Sequence, residues 1–243
     1  MRGEVTSVSR TGFFVQIGNL SEFCIINNSY ESEGNPVVGD FVGVEKREDR
    51  WIILRVMPRK NIIRRYDVER DRYQPFASNV GTVFVVTSAN LEFSLSRLGR
   101  FLALLGGEDV RIVIVVTKID LHEGEDDYVA MVKAMLAKGS EDFDYSNVKA
   151  VSINALKKAE VKKLLKYVDE GASALLLGSS GVGKSTIINT LLNLDLKTNE
   201  DKGMRHSNKG RHTTSSRTLY YLPCGKKIID VPGIKVVGVN ENE

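Results

Sequence analysis

A short glycine-rich stretch constrains the fold of this chain more than any other part of it. It lies between an apolar run at 174–177 and an apolar, helix-like segment at 187–194, and it has the spacing G-x-x-x-x-G-K-[ST] of a phosphate-binding loop. Glycines let backbone N–H groups wrap around a polyphosphate, and the next helix adds the positive end of its dipole. A plain glycine turn is the alternative, which the number of matched positions disfavours. The predicted nucleotide-binding residues of this loop are Gly178, Ser179, Ser180, Gly181, Val182, Gly183, Lys184, Ser185 and Thr186.

Two side chains at the end of the loop have predicted chemical roles. Lys184 is expected to reach the outer phosphates as a point charge and to act in catalysis. The Ser185 hydroxyl is expected to complete the coordination shell of a magnesium ion, which keeps most of its waters. The motif predicts a phosphate site and does not by itself select the base.

The composition is that of an ordinary soluble globular protein, with 42% apolar and 27% charged residues among 243. The formal charge of +3 is too small to indicate a nucleic-acid partner by itself. The two cysteines, at 24 and 224, fit neither a metal-binding spacing nor a disulfide framework, which favours a reducing compartment. We find no signal peptide and no apolar run near the roughly 20 residues of a membrane span. We therefore expect a cytoplasmic protein without membrane contact.

Three regions are predicted along the chain. Residues 1–57 contain about five short strands without a helical pattern, which suggests a closed, OB-like β-barrel. Such barrels often bind RNA on one face, and a purely structural barrel is an equal alternative. Residues 58–75 are a charge-rich, mainly basic linker in which Tyr66 and Tyr73 either stack on RNA bases or lie in solvent.

Residues 76–243 alternate strands with helices, which predicts an α/β domain around a parallel sheet. A hairpin signal at 223–225 predicts one antiparallel pair at an edge of that sheet. The predicted strands are 80–86, 112–116, 148–152, 174–177, 217–222 and 226–230, and the predicted helices are 96–105, 128–138, 157–168 and 187–194.

A second motif, Thr117-Lys118-Ile119-Asp120, directly follows a predicted strand and resembles the guanine-binding [NT]-K-x-D of GTPases. An aspartate there accepts from guanine N1–H and from the exocyclic amine, and adenine leaves those buried acceptors unpaired. The lysine stem packs over the base. Thr in place of the commoner Asn removes an amide, so somewhat weaker base selectivity is expected. An ordinary turn is the alternative, but the combination with a phosphate loop favours a guanine site.

Three further stretches complete the predicted site. Asp230-Val231-Pro232-Gly233 matches the D-x-x-G of GTPases, with Asp230 holding magnesium through water and the Gly233 N–H contacting the γ-phosphate. Either Thr213 or Thr214 completes the magnesium shell, since both lie where a first switch belongs. Ser152 and Ile153 occupy the place of the Ser-Ala pair whose backbone N–H binds guanine O6.

The order of these motifs is unusual. A common GTPase has the phosphate loop first, then the first switch, D-x-x-G, K-x-D and Ser-Ala. In this chain K-x-D and Ser152 precede the phosphate loop, and the first switch and D-x-x-G follow it. The order predicts a circularly permuted Ras-like GTPase domain, a rearrangement that is tolerated because the termini of domains lie at the surface.

With these motifs the chain resembles the family of small-ribosomal-subunit-dependent GTPases known as RsgA or YjeQ. The resemblance also includes the stretches V-V-G-D-F-V, M-P-R-K-N and Q-P-F-A-S-N-V. It implies that the protein hydrolyses GTP to GDP with Mg²⁺, that the small ribosomal subunit stimulates this hydrolysis, and that the protein acts late in the maturation of that subunit. It also implies that the barrel and the basic segments contact ribosomal RNA. A monomer is expected.

Two departures from the family pattern affect these expectations. The family usually continues into a zinc domain with clustered Cys and His, which this chain lacks, so no zinc is predicted. A trimmed chain and a naturally short member are both compatible with this. Ile234 stands where Ras-like enzymes place a water-orienting Gln, as in the family. His212 is the candidate for positioning the water, and an inert loop histidine is the alternative.

Three functional hypotheses follow. The first is an enzyme, a GTPase acting on the assembling small subunit. The second is a GTP-gated RNA-binding switch with negligible turnover. The third is an adenine-nucleotide kinase or ATPase, which Asp120 disfavours.

Overall fold

The computed structural model describes residues 1–32, 34–67, 71–90, 93–121, 127–139, 144–196, 217–222 and 224–232. A small closed barrel comes first, a two-stranded hairpin follows, and a sheet with helices on both faces completes the chain. None of the helices in these ranges is long and apolar enough to cross a membrane.

The N-terminal barrel has the predicted architecture. Its strand order is β1-β2-β3-β5-β4, and β4 pairs back onto β1 to close it. Among the barrel strand pairs in the described part of the chain, only β3–β5 is parallel. The alternating apolar residues predicted to face inward do so, and Val5, Val15 and Ile53 are fully buried. The prediction of an OB-like barrel is confirmed. The strands are β1 (Arg2–Val8), β2 (Phe13–Ile17), β3 (Leu20–Ile26), β4 (Phe41–Arg47) and β5 (Arg50–Val56).

The segment predicted as a linker contains most of a β-hairpin, formed by β6 (Ile62–Asp67) and β7 (Arg72–Ser78). Ile63 and Phe76 are buried in the core of the α/β domain, which holds the hairpin in place. Tyr66 and Tyr73 form an exposed cross-strand pair with ring centroids 5.3 Å apart. The many charged residues hide the alternating pattern of a strand, so sequence periodicity did not indicate it.

The α/β domain is built on a mainly parallel sheet in the order β10-β9-β8-β11-β13-β12. Its last strand β12 is antiparallel to β13, as the hairpin signal predicted. It also pairs with β1 of the barrel at Ser7 and Thr218, so β12 is not a free edge and the sheet continues into the barrel. The strands are β8 (Val80–Ser88), β9 (Arg111–Thr117), β10 (Lys149–Ser152), β11 (Ser173–Leu177), β12 (Thr218–Tyr221) and β13 (Lys227–Asp230). The helices are α1 (Leu95–Leu104), α2 (Tyr128–Lys138), α3 (Lys158–Lys162) and α4 (Lys184–Leu196).

Helices cover both faces of this sheet. Along β8, Val83 and Val85 join the apolar cluster that includes α1 and α2, whereas Phe84 and Val86 join the cluster that includes α3 and α4. Successive residues of a strand point to opposite faces, so a strand covered on both sides is apolar throughout. The continuous β-branched run near residue 80 therefore predicted correctly that strand β8 is buried on both faces.

The helix predicted at 157–168 is shorter than its apolar spacing indicated. After α3 the chain continues as a 3₁₀ helix, Lys163–Tyr167. A side chain from another part of the domain donates hydrogen bonds to the backbone carbonyl oxygens there. The Lys226 ammonium donates to the Leu165 and Val168 oxygens at 2.8 and 2.6 Å. These donors satisfy carbonyls that would otherwise lack partners at a helix end, which favours the tighter turn.

A buried ion pair joins the barrel to the hairpin. Asp40 is fully buried, and its carboxylate accepts two hydrogen bonds from the Arg59 guanidinium, each 2.7 Å long. It also accepts from the Ser78 hydroxyl at 2.6 Å and from the Val37 N–H at 2.8 Å. The hydrogen bond to Asp40 raises the pKa of the Arg59 guanidinium. Three stretches that carry the family resemblance thus meet in one network.

A second buried contact joins the barrel to the sheet. The Glu4 carboxylate on β1 accepts from the Lys227 ammonium and from the Tyr221 hydroxyl, both at 2.6 Å. The Lys227 ammonium also lies 5.3 Å from the ring centre of Phe41. Burial, followed by the hydrogen bond to Glu4, raises the pKa of Tyr221. Barrel strand β1 is therefore joined to β12 by backbone pairing and by the Tyr221 side chain, and to β13 by the Lys227 side chain.

Replacing Asp40 with Asn is expected to lower the free energy of unfolding by about 3 kcal/mol, because Arg59 loses its buried counter-charge. Urea denaturation followed by the fluorescence of Trp51, the single tryptophan, measures this. The control is Glu45→Gln, which breaks the exposed pair with Arg47 and is expected to cost less than about 1 kcal/mol. Equal losses in the two variants would contradict a structural role for the buried network.

Candidate functional site

The carboxyl ends of five parallel strands lie along one edge of the sheet. Register places Ser88 beside Thr117, Ser152 beside Val116, and Asp230 beside Leu176. Because β11 ends at Leu177, the phosphate loop begins at this same edge. Ligands of open α/β sheets bind outside the carboxyl ends of the strands. The motifs that lie far apart in sequence are thus brought to one edge.

The phosphate loop is packed tightly against the neighbouring strand. Gly178 has φ +151°, and a Cβ at this position would lie 2.3 Å from the Val86 carbonyl oxygen. Only glycine fits there. Helix α4 begins at Lys184, so its N-terminal N–H groups and the positive end of its dipole face the loop. Ser180 and Ser185 are exposed, and Ser179 and Thr186 are half-buried.

Lys184 is buried at the centre of this loop. Its ammonium donates to the Gly178 and Ser179 carbonyl oxygens at 2.8 and 2.7 Å. Burial lowers the pKa of Lys184, and the nearby Asp230 carboxylate acts in the opposite direction by raising it. The structure therefore brings the predicted phosphate-binding lysine and the predicted magnesium-side carboxylate close enough to interact.

Thr117 was predicted to contact the base, and the structure places its side chain beneath the phosphate loop. It is fully buried, and its hydroxyl lies 2.6 Å from the Val182 carbonyl oxygen and 3.0 Å from that of Thr87. This hydroxyl links the end of β9 directly to the loop. The link joins two motifs 65 residues apart in the chain.

Asp120 lies at the surface just beyond Thr117. Lys118 has φ +59°, a left-handed backbone conformation that turns the chain sharply out of β9. A short 3₁₀ turn, Ile119–Leu121, follows, and Ile119 and Asp120 are both exposed. The carboxylate that is predicted to bind guanine is thus accessible to a ligand at this edge.

The Ser152-Ile153 pair ends β10 next to the base motif. The Ile153 N–H, predicted to bind guanine O6, donates to the Val116 carbonyl oxygen at 2.9 Å, so a bound base would compete with this bond. Ser152 is exposed. The following Asn154 N–H donates to the Glu160 carboxylate at 2.6 Å, a contact that orders the loop and that sequence reasoning missed.

Ser185 and Asp230 are the described residues that fit a magnesium ion. A hydroxyl oxygen and a carboxylate oxygen are the hard ligands that this ion prefers. Among the described residues, no group of three or more His, Cys, Asp or Glu side chains is arranged to hold a metal. The other predicted site residues, His212, Thr213, Thr214 and Gly233, lie outside the described ranges.

Arg97 is a neighbour of the phosphate loop that the motifs did not indicate. It lies in the first turn of α1, and its Nη1 is 3.5 Å from the Ser179 hydroxyl oxygen. No sequence signal could have found it, because the contact depends on how α1 packs on β8 and β11. The finding adds a cation at the rim of the loop.

Comparison with known proteins decides the family. The sequence model of the RsgA GTPase family matches residues 56–240. The chain belongs to the RsgA GTPase family. It is 35% identical over 209 residues to the small ribosomal subunit biogenesis GTPase RsgA of Xanthomonas oryzae, covering 85% of this chain and 53% of the relative. The RsgA protein of Xanthomonas campestris is also 35% identical, over 208 residues with the same coverage. The chain thus spans about half the length of these relatives.

Solved structures agree with this RsgA fold. YjeQ from Thermotoga maritima is similar with a TM-score of 0.66 and 22% identity, covering 99% of this chain and 77% of that one. YloQ, described as a circularly permuted GTPase, is similar with a TM-score of 0.59 and 22% identity, covering 96% and 71%. The predicted fold, an OB-like barrel followed by a circularly permuted Ras-like P-loop domain, is therefore confirmed.

Replacing Thr117 with Val is expected to lower the free energy of unfolding by about 1–2 kcal/mol, because the buried Val182 carbonyl loses its hydroxyl donor. Chemical denaturation followed by circular dichroism measures this. The matched control is Thr6→Val, which removes the exposed bond to the Phe14 carbonyl and is expected to change stability by less than about 0.5 kcal/mol. If Thr117→Val had the same free energy of unfolding as the wild type, the hydrogen bond from Thr117 to Val182 would not stabilise the loop.

Proposed function

We propose that this chain is a cytoplasmic GTPase that binds the small ribosomal subunit, acts late in its maturation, and hydrolyses GTP to GDP and phosphate. The observation that carries this proposal is the convergence of the phosphate loop, Asp120 and Asp230 at one edge of the sheet. The relatives named small ribosomal subunit biogenesis GTPase support the biological role. The proposed role late in the maturation of the subunit rests on the sequence resemblance alone.

Guanine is bound by the motif that follows β9. The exposed Asp120 carboxylate accepts from guanine N1–H and from the exocyclic amine, and the Lys118 stem packs over the ring. Ser152 and Ile153 lie on the O6 side of the base, where the Ile153 N–H exchanges its bond to Val116 for the ligand. Thr117 acts here by positioning the phosphate loop from below.

The phosphates lie in the loop around Lys184. The Lys184 ammonium donates to two loop carbonyls, and a bound polyphosphate would offer it anionic acceptors instead. The Asp230 carboxylate favours the protonated form that this requires. Ser185 and Asp230 would hold the magnesium ion together with Thr213 or Thr214, and the ion would neutralise charge on the phosphates.

Hydrolysis requires a water molecule in line with the γ-phosphate. His212 is proposed to position it, and the Gly233 N–H to contact the γ-phosphate. Lys184 and the N–H groups at the start of α4 stabilise the charge that develops on the phosphate oxygens. The chain is proposed to act as a monomer and without zinc. The barrel and the basic segments are proposed to contact ribosomal RNA, which supplies the dependence on the subunit.

Purified small ribosomal subunits are expected to raise the rate of GTP hydrolysis by at least about tenfold, since positioning groups supplied in trans have effects of this size or larger. The rate should saturate with subunit concentration and fall as salt increases, because phosphate contacts are screened. Release of labelled phosphate measures it, and Lys184→Ala, which lacks the phosphate-binding ammonium, provides the blank.

No hydrolysis above that blank at any subunit concentration would contradict the enzymatic function. If GTP then still controlled binding to the subunit, the chain would be a GTP-gated switch instead. Tighter binding of ATP than of GTP would contradict both guanine-based functions.

Replacing Asp120 with Asn is expected to weaken GTP binding by about 10–100-fold, because a hydrogen bond to a charged group is lost. Xanthosine triphosphate should then be preferred, since its base presents an acceptor where guanine presents an amine. Titration with fluorescent nucleotides measures both affinities. The matched control is Asp127→Asn, at the start of α2, where Asn can replace the Asp127 cap on the Ala130 N–H. An unchanged preference in Asp120→Asn would remove Asp120 from the base site.

A further inference from the structure

The loop that follows β10 contains a backbone donor, the Ala155 N–H, that has no acceptor within the described part of the chain. We call residues 153–157 the base loop. Its other N–H groups all donate to the protein: that of Ile153 to the Val116 carbonyl oxygen, that of Asn154 to the Glu160 carboxylate, that of Leu156 to Asn154 Oδ1, and that of Lys157 to the Asn154 carbonyl oxygen. Ala155 is only 7% exposed. A buried N–H without an acceptor is costly, so a ligand that accepts from it gains free energy.

The peptide groups around Ala155 are held in place. The Thr190 hydroxyl donates to the Ala155 carbonyl oxygen at 2.9 Å, and Thr190 is a buried residue of α4, the helix that begins at Lys184. On the next residue, the Leu156 N–H donates to the Asn154 side chain at 2.9 Å. The base loop is therefore fixed to the helix of the phosphate loop. A donor that is fixed before binding costs less entropy when a ligand accepts from it.

Glu160 holds the base loop from the side of α3. Its Oε2 accepts from the Asn154 N–H at 2.6 Å, a short hydrogen bond to a charged group. Its Oε1 lies 3.8 Å from the Lys157 ammonium, whose side chain is 68% exposed. An exposed ion pair of this kind contributes little free energy. The bond to the Asn154 backbone is therefore the contact through which Glu160 constrains the loop.

The base loop leaves the sheet beside the motif predicted to bind guanine. Ser152, at the end of β10, is paired with Val116, the residue before that motif. Both segments thus leave neighbouring parallel strands at the same edge. Guanine presents an acceptor, O6, at position 6 of the purine, where adenine presents an amino donor. A fixed N–H at this edge favours the 6-oxygen, because two donors facing each other leave both without an acceptor.

We propose that Glu160 is a positioning residue for base selection, which holds the base loop so that the Ala155 N–H donates to O6 of guanine. Glu160 does not itself touch the base. O6 accepts two hydrogen bonds, and Ala155 adds a donor that requires no exchange, whereas the Ile153 N–H is bonded to Val116. This inference rests on the proposed function, and it adds to the guanine site a carboxylate that lies outside all of the sequence motifs.

The test compares GTP with 6-thioguanosine triphosphate, which keeps the N1–H and the 2-amino group for Asp120 and has sulfur, a weak acceptor, at position 6. Displacement of fluorescent GDP from the full chain measures both affinities. The wild type is expected to prefer GTP by about fivefold, the value of a typical hydrogen bond. In Glu160→Ala this preference should fall to about one, through weaker binding of GTP alone.

Two further variants separate positioning from charge. Glu160→Gln keeps an oxygen that accepts from the Asn154 N–H, so it should retain most of the preference for GTP. The matched control is Lys157→Gln, which removes the exposed ion pair with Glu160 and should leave both affinities unchanged. Circular dichroism shows whether each variant is folded. If Glu160→Ala is not, Glu160→Asp takes its place with the same expected loss, because its shorter side chain does not reach the Asn154 N–H.

A merely structural role of Glu160 would weaken both nucleotides by the same factor, and that result overturns the inference. An unchanged preference in Glu160→Ala, an equal loss in Lys157→Gln, or a wild type that binds both nucleotides equally also overturns it. Lys184→Ala separates this failure from that of the proposed function. If the wild type binds GTP no better than Lys184→Ala, the proposed function fails. If it binds GTP well and its preference does not depend on Glu160, only the present inference fails.

Discussion

The parallel hydrogen-bond ladder of the central sheet is the constraint on which the rest of the structure depends. Five strands pointing in one direction bring their carboxyl ends to one edge, and the ends of β9, β10, β11 and β13 carry parts of the candidate site. Parallel strands need helical crossovers, and these cover both faces with apolar side chains. The polar loops are left at the edges. The same geometry that buries the core therefore places the phosphate loop, Asp120 and Asp230 at one edge of the sheet.

Two buried polar contacts connect the barrel to this arrangement. Asp40 accepts from Arg59 and Ser78 on the side of the hairpin, and Glu4 accepts from Lys227 and Tyr221 on the side of the sheet. Lys227 begins β13, and Asp230 ends the same strand. The barrel thus contacts β13, the strand that ends at Asp230, through the Glu4–Lys227 pair.

Much of this architecture could be predicted from local patterns. The β-branched run near residue 80 indicated a strand buried on both faces, and the apolar spacing near 128–138 indicated a helix with those limits. The hairpin of β6 and β7 was not indicated, because charged residues at both inward and outward positions hide its alternation. The end of α3 was also missed. Its 3₁₀ continuation depends on Lys226, a donor about sixty residues further along the chain.

By itself the sequence determined the type of loop, the permuted order of the motifs and the family, because each motif consists of residues a few positions apart and the order of the motifs follows directly from the chain. The phosphate loop needs its glycines, lysine and serine within eight consecutive positions, and the base motif needs four consecutive residues. Only the tertiary structure decided what Thr117 contacts, that Arg97 borders the loop, and that Asp40 joins the barrel to the hairpin. The reason is physical. Such contacts join residues whose separation in the chain is unrelated to their distance in space, so strand order and register, not local spacing, bring them together.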